Sequence, residues 1–418
     1  MASPPVLTPA EEPAVERSYR AVLRQPGFVR MVSGMQLARI ANQMVSVAVV
    51  LFVLERYRSP ALAGLVTFLS VFPGLVLSPI SGALLDRHGR KWFIVLDYAL
   101  GLVLLSLLGT LALLDVLPVW LLLAIAFVSS LTGPLSATGS RTLFPLMVPR
   151  HLWERANAVD SNGYVVATLV GPPAAGALVG TVGGPTTLIV IGLVFGTAAL
   201  VMLGLRDPET NVATSGSLVR DAWQGLLYCL RNPTLRGLAL TVSIGNLAGG
   251  VAYILVPVLI LARLHQGPAA VGLAFAVMGF AGVVAAFVFG RLDSEGRERA
   301  MMSVPLVLIA GASALLFGAY SYWVVLVAMA IVGAANGPYD IALFTLRQKR
   351  TDPAWMGRAF AVSMALNYAG VPIGSGLGGR LVAASIPLAI AAMVVVSLGA
   401  AVMPYLTIPK TDSPRWIV

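Results

Sequence analysis

Five ionisable side chains stand inside long apolar runs of this sequence: Arg39, Asp97, Asp160, Asp340 and Arg380. A charge in such surroundings is costly, so each marks a place where binding or proton transfer could occur. The three aspartates are the residues able to take up and release a proton, because a carboxyl in low dielectric holds its proton more tightly than one in water. Arg39 stays charged at any working pH and offers two parallel hydrogen bonds to a carboxylate or phosphate. Gln36, Gln43 and Ser46 share a helical stripe with it, and Asn42 stands at the stripe's edge. The pattern reads either as a site for the negative group of an amphipathic ligand or as half of an ion pair between helices. Catalysis has little to work with. The sequence contains neither H-E-x-x-H nor the phosphate loop G-x-x-x-x-G-K-S/T, and His88, His151 and His265 fall between apolar runs. A single cysteine, Cys229, excludes an internal disulfide. No enzymatic activity, metal or cofactor is expected.

The elements that must hold these residues follow from composition. Of 418 residues, 58% are hydrophobic and 11% charged, against about 25% charged in soluble domains. That excludes an ordinary soluble protein. Charge-poor runs long enough to cross a bilayer, about 20 residues, occur at 31–54, 62–85, 92–114, 119–140, 156–181, 185–205, 237–262, 269–290, 301–320, 323–346, 359–384 and 386–408. The expected fold is therefore an all-α integral membrane protein with twelve spans. With both termini on the cytoplasmic side, 23 of the 28 basic residues fall in cytoplasmic tails and loops, as the positive-inside rule requires. The net charge of +10 then reflects topology rather than nucleic-acid binding. The first 27 residues carry no apolar run and so no secretory signal. A multi-pass protein of the plasma membrane, monomeric in the bilayer, is expected.

At 1.5 Å per residue, Arg39 lies about 12 Å into its span, near the midplane, and Asp97 and Asp160 about 6–8 Å from the cytoplasmic end. Asp340 lies about 9 Å from that end, and Arg380 about 6 Å from the outer end, where it can snorkel. Asp97 and Asp160 read either as coupling acids or as members of a cytoplasmic charge network.

Segment 206–236 separates six spans from six. It opens polar and continues as an amphipathic stretch with Leu218, Trp223, Leu226, Leu227 and Leu230 at helical spacing, the pattern of a helix on the inner membrane surface. The expected organisation is a tail (1–30), a first half (31–205), the linker (206–236), a second half (237–408) and a tail (409–418). The halves repeat. Asp86, Gly89 and Arg90 recur as Asp293, Gly296 and Arg297, spans four and ten end on Arg141 and Arg347, and spans five and eleven both carry Gly/Pro clusters. Paired six-helix halves are a transporter architecture with the substrate between them near the midplane.

The segment Gly82-Ala83-Leu84-Leu85-Asp86-Arg87-His88-Gly89-Arg90-Lys91 resembles the major facilitator superfamily signature G-x-L-a-D-r-x-G-r-k between helices two and three, with Leu85 as a variant. Segment 144–158 (Phe144-Pro145 to Glu154-Arg155-Ala156-Asn157-Ala158) is similar to the macrolide-efflux and enterobactin-exporter branch. The resemblance implies a cytoplasmic latch formed by Gly82, Asp86, Arg87, Gly89, Arg90, Lys91 and Arg141, with Asp86 facing helix eleven near Gly357. The plain alternative is a basic loop that only sets topology. Gly171, Pro172 and Gly176 resemble the antiporter motif of helix five, with Ala175 in place of a glycine; close packing of small residues is the alternative. The resemblance also implies that helices one, four, seven and ten line the central path. Arg39, Gln36, Asn42, Gln43, Asn246, Tyr253, Asn336 and Tyr339 are then the candidate substrate-binding residues, and Asp340, Asp160 and Asp97 the candidate proton-coupling acids. The implied activity is proton-coupled export of an amphipathic anionic or zwitterionic compound. Proton-independent facilitation, uptake by symport, or a receptor built on a transporter fold stand as alternatives.

Overall fold

The structure, a computed structural model, describes residues 18–88, 90–205, 218–291, 295–352 and 355–410. Apolar segments whose backbone finds no partner in lipid satisfy it internally as helices. In chain order these are α1 (Tyr19–Leu23), α2 (Phe28–Tyr57), α3 (Pro60–Leu69), α4 (Phe72–His88), α5 (Arg90–Leu113), α6 (Val119–Met147), α7 (Trp153–Val182), α8 (Gly184–Leu203) and α9 (Leu218–Arg231). They continue as α10 (Pro233–Val258), α11 (Pro268–Phe289), α12 (Glu298–Leu315), α13 (Tyr322–Lys349), α14 (Met356–Tyr368), α15 (Gly370–Ala384) and α16 (Ile386–Thr407). Eleven helices among the described residues are long and apolar enough to cross a membrane. Helix starts follow local chemistry. Ser59 caps α3 by accepting from the Leu62 amide at 3.1 Å, Asn232 caps α10 by accepting from Leu235 at 3.0 Å, and both helices begin on proline, whose fixed φ suits the first turn.

Two of the expected spans differ from single helices. The run 62–85 is divided into α3 and α4, and the run 359–384 into α14 and α15. Each break has a proline behind it. Pro73 cannot donate to the Leu69 carbonyl, nor Pro372 to that of Tyr368, and these acceptors are the last residues of α3 and α14. Span eleven therefore consists of two short helices.

The halves pack by one plan. In the first, α2 packs on α7 and α8, α5 on α6 and α8, and α4 on α6; in the second, α10 packs on α15 and α16, α12 on α13 and α16, and α11 on α13. The halves join through α3 with α15 and α7 with α11. Both seams lie at the end opposite the arginine-rich one, called here the far end and the basic end. The seams bring backbone against backbone. A Cβ on Gly64 would come 2.4 Å from the Ser375 carbonyl oxygen, and a Cβ on Gly272 would come 2.5 Å from that of Pro172. Only glycine permits such an approach.

Helix α9 is fastened to the second half. Tyr228 stacks on Trp355 with centroids 5.0 Å apart, and its hydroxyl accepts from the Asp352 amide at 3.0 Å. Asn232 donates to the Arg350 carbonyl at 3.0 Å, and the Cys229 thiol donates to that of Ala359 at 3.4 Å. Burial pushes the Cys229 thiol up to about 11, against the lowering pull of Arg347. Trp223 and Leu230 are exposed.

Candidate functional site

In the first half the stripe of α2 faces α7. Arg39 Nη2 lies 2.5 Å from Asp160 Oδ1, and Nη1 donates to the Asp160 carbonyl at 3.1 Å. The guanidinium also lies 3.8 Å from the centre of the Tyr164 ring, within cation–π range. Four residues further along α2, Gln43 donates to Thr168 Oγ1 at 3.0 Å. Gly163 makes room for this seam: a Cβ there would meet Gln36 Oε1 at 2.5 Å and Arg39 Nη1 at 3.0 Å. The side chains of Arg39 and Asp160 are 13% and 23% exposed, so the pair is covered but reachable. Asp160 thus stands with Arg39 rather than in a network at the basic end. Asn42 donates to the Ala38 carbonyl at 3.0 Å and Ser46 to that of Gln43 at 2.8 Å, so each is satisfied within its own helix. Both are exposed. Asp97 is buried on α5, within hydrogen-bonding reach of the Ser136 and Thr132 hydroxyls of α6.

The second half is organised around a residue whose role the sequence did not reveal. Arg347 is fully buried. It donates to Met364 Sδ at 2.8 Å and lies 5.4 Å and 4.9 Å from the Phe344 and Phe360 ring centres. Asn367, with its amide oriented to satisfy both neighbours, accepts from Arg347 and donates to the Ser363 carbonyl at 3.1 Å. Asn246 donates to the Asn367 carbonyl at 2.8 Å, tying α10 to α14. Tyr253 stacks on Phe275, with centroids 5.4 Å apart. Tyr339 is buried and its hydroxyl has no hydrogen-bond partner among the described residues, while Asn336 is half-buried. Asp340 is exposed and makes no hydrogen bond or ion pair with any described residue; Arg347 is the cation whose field it feels.

The signature segment is described only in part. Gly89 and the side chains of Asp86 and Arg87 lie outside what the structure describes, as do the surroundings of Gly82 and Gly357. Lys91 sits 5.1 Å from the Trp92 ring, and Arg141 is exposed at the basic end of α6. Arg90 is half-buried, and Arg380 is exposed near the far end of α15. The glycines of the helix-five motif point to different neighbours. A Cβ on Gly171 would meet Gln43 Cβ at 2.4 Å, and one on Gly176 would meet the Pro268 carbonyl oxygen at 2.7 Å. One therefore packs within the half and the other across the far-end seam, with Pro172 buried between them. Among the described residues no group of three or more His, Cys, Asp or Glu side chains is placed to hold a metal ion.

Tyr164 and Thr168 join the first-half site, and Arg347 and Asn367 the second, in addition to the residues expected. The spacing of Asp160, Tyr164 and Thr168 at i, i+4 and i+8 was the signal available for the first pair. The arrangement sets an ion pair in one half and, in the other, a carboxylate without a hydrogen bond or ion pair among the described residues.

The family model described as Major Facilitator Superfamily matches residues 31–261 and 238–417. An uncharacterized MFS-type transporter, y4rN, of Sinorhizobium fredii is 33% identical over 95% of this chain and 98% of its own. Macrolide efflux protein A of Streptococcus pyogenes is 20% identical over 83% of this chain and 87% of its own, and the enterobactin exporter EntS of Citrobacter koseri is 26% identical over 78% and 77%. Among solved structures, the nucleoside transporter NupG superposes with a TM-score of 0.72 over 93% of this chain and 100% of its own, at 11% identity.

Proposed function

The chain belongs to the major facilitator superfamily, a transporter rather than an enzyme with efflux pumps among its relatives, and on that footing we propose that it is a proton-coupled exporter of amphipathic anions or zwitterions working by alternating access. One observation carries the coupling. Of the three aspartates in the spans, Asp160 is held by Arg39 and Asp97 lies buried against two hydroxyls, whereas Asp340 is exposed and has no hydrogen bond or ion pair among the described residues. A carboxyl in that position exchanges its proton for a hydrogen-bonding or cationic group of the cargo, and mutually exclusive occupancy is what antiport requires. Asp160 occupies one edge of the Arg39 guanidinium, and the remaining N–H donors meet the cargo's negative group. Gln36, Gln43, Asn42, Asn246 and Asn336 supply neutral hydrogen bonds. The basic end and both termini lie in the cytoplasm, the membrane is the plasma membrane, and the protein works as a monomer. The efflux relatives support the direction of transport, and the closed far-end seam supports a cycle in which the two ends open in turn.

Proteoliposomes test this reading. A thermal-shift screen of drugs, catecholate siderophores and lysophospholipids first selects the cargo. Asp340→Asn is then expected to retain substrate counterflow and to lose uphill export driven by a pH gradient. Uphill export by Asp340→Asn at the wild-type rate refutes coupling through this residue. Loss of counterflow in the wild type refutes transport altogether.

A further inference from the structure

At the basic end of the first half, away from the site above, a groove of about 620 Å³ opens between the end of α6, the start of α7 and the turn that follows α1. The chain leaves α6 at Met147, passes through extended Val148 and makes one short turn at Arg150–Leu152 before α7 begins. The Trp153 indole donates to the Val148 carbonyl at 2.8 Å, which fixes the ring as a wall of the groove. Gly27, with φ of 80°, turns the chain opposite; a Cβ there would meet Met147 Cε at 2.8 Å. Two wall residues, Leu146 and Trp153, are 45% and 37% exposed, so the groove is open sideways.

Its rim is positively charged. Arg150 is exposed, lies 5.8 Å from the Trp153 ring centre and has no carboxylate within 4 Å among the described residues. Arg20 and Arg24, at the adjoining α1, are exposed and likewise unpaired there. The acid next in sequence, Glu154, is taken by Arg155 at 3.0 Å. Tyr19 and Leu23 on α1 are more than half exposed. Tryptophan, tyrosine and arginine together at a helix end are the residues of the headgroup level.

We propose that this groove binds an anionic phospholipid, with the headgroup phosphate on Arg150 and an acyl chain along Leu146, Met147 and Trp153. Charge complementarity selects an anionic over a zwitterionic headgroup, and the apolar, laterally open walls select a lipid over a soluble phosphate. A basic side chain near a membrane surface contributes roughly fivefold in affinity for an acidic lipid.

Native mass spectrometry of the full-length protein tests the proposal, with dioleoylphosphatidylglycerol, dioleoylphosphatidylcholine and glycerol phosphate as probes. The wild type is expected to retain phosphatidylglycerol preferentially. Arg150→Gln lowers that retention about fivefold and Arg24→Gln lowers it less, while phosphatidylcholine retention changes with neither. Leu146→Gln weakens retention through the wall without removing a charge. Equal retention of the two lipids by the wild type overturns the proposal. So does unchanged phosphatidylglycerol retention in Arg150→Gln, or displacement of the lipid by equimolar glycerol phosphate, which would mark a site for a free phosphate.

Discussion

Each half of the molecule buries a guanidinium, and the two are neutralised by different means. Arg39 has a carboxylate 2.5 Å away, an aromatic ring beneath it and a partly open flank. Arg347 has no carboxylate within 4 Å among the described residues. It is enclosed completely and surrounded by a thioether, an amide oxygen and two phenyl rings. The difference separates two uses of the same side chain. An ion pair at a reachable surface retains unused donors for a ligand. A cation locked among neutral acceptors fixes helices, here α13 against α14, and leaves the acid on its own helix, Asp340, free for other work.

Removing half of the ion pair is the harshest way to break this comparison. Asp160→Ala leaves the Arg39 charge uncompensated and is expected to cost about 3 kcal/mol, seen as a lower melting temperature in detergent. Arg39→Gln with Asp160→Asn recovers most of that loss, because no charge is left unpaired. The lysine replacements come next. Arg347→Lys keeps the charge but cannot reach Met364 and Asn367 together, and should cost about 2 kcal/mol. Arg39→Lys retains the single carboxylate contact and should cost about half as much in stability. Equal costs would show that the neutral cage around Arg347 has no geometric role. Tyr164→Leu removes the ring beneath Arg39 and is expected to cost about 0.5–1 kcal/mol. The smallest effect concerns Cys229. A thiol titrating near 11 stays protonated at pH 7.5, so maleimide should modify the folded protein about a hundredfold more slowly than an ordinary thiol. Reaction should rise about tenfold per pH unit and level off near pH 11, and should accelerate at once when the protein unfolds. Rapid labelling at pH 7.5 would show that α9 is not seated on α14.

Span positions were legible in the sequence because a lipid-exposed backbone has few ways to satisfy itself, and long apolar runs leave only the helix. The breaks before Pro73 and Pro372 were harder to see, since apolarity continues across them. The stripe of Gln36, Arg39 and Gln43 was visible, but its partner was not. Which acid meets Arg39 depends on the rotation of α7 against α2, and that is set by Gly163 and Gly171, whose missing side chains permit the approach. Arg347 was overlooked for a related reason. A basic residue at the end of a span ordinarily reaches the interface, and only the packing of Phe344, Phe360 and Met364 shows that this one turns inward.

The far-end seam, where Gly64 lies against Ser375 and Gly272 against Pro172, also bears on how membrane voltage acts. Backbone packed on backbone leaves little room for a file of water. A full elementary charge crossing the membrane exchanges about 2.3 kcal/mol per 100 mV, and that drop is concentrated where the molecule is driest. In the proposed coupling, a proton loaded on the exposed Asp340 from the basic side does little electrical work. In the proposed alternating-access cycle, the voltage acts where this seam opens and a counterpart closes at the basic end, which assigns the electrical sensitivity of that cycle to the rearrangement of the helices.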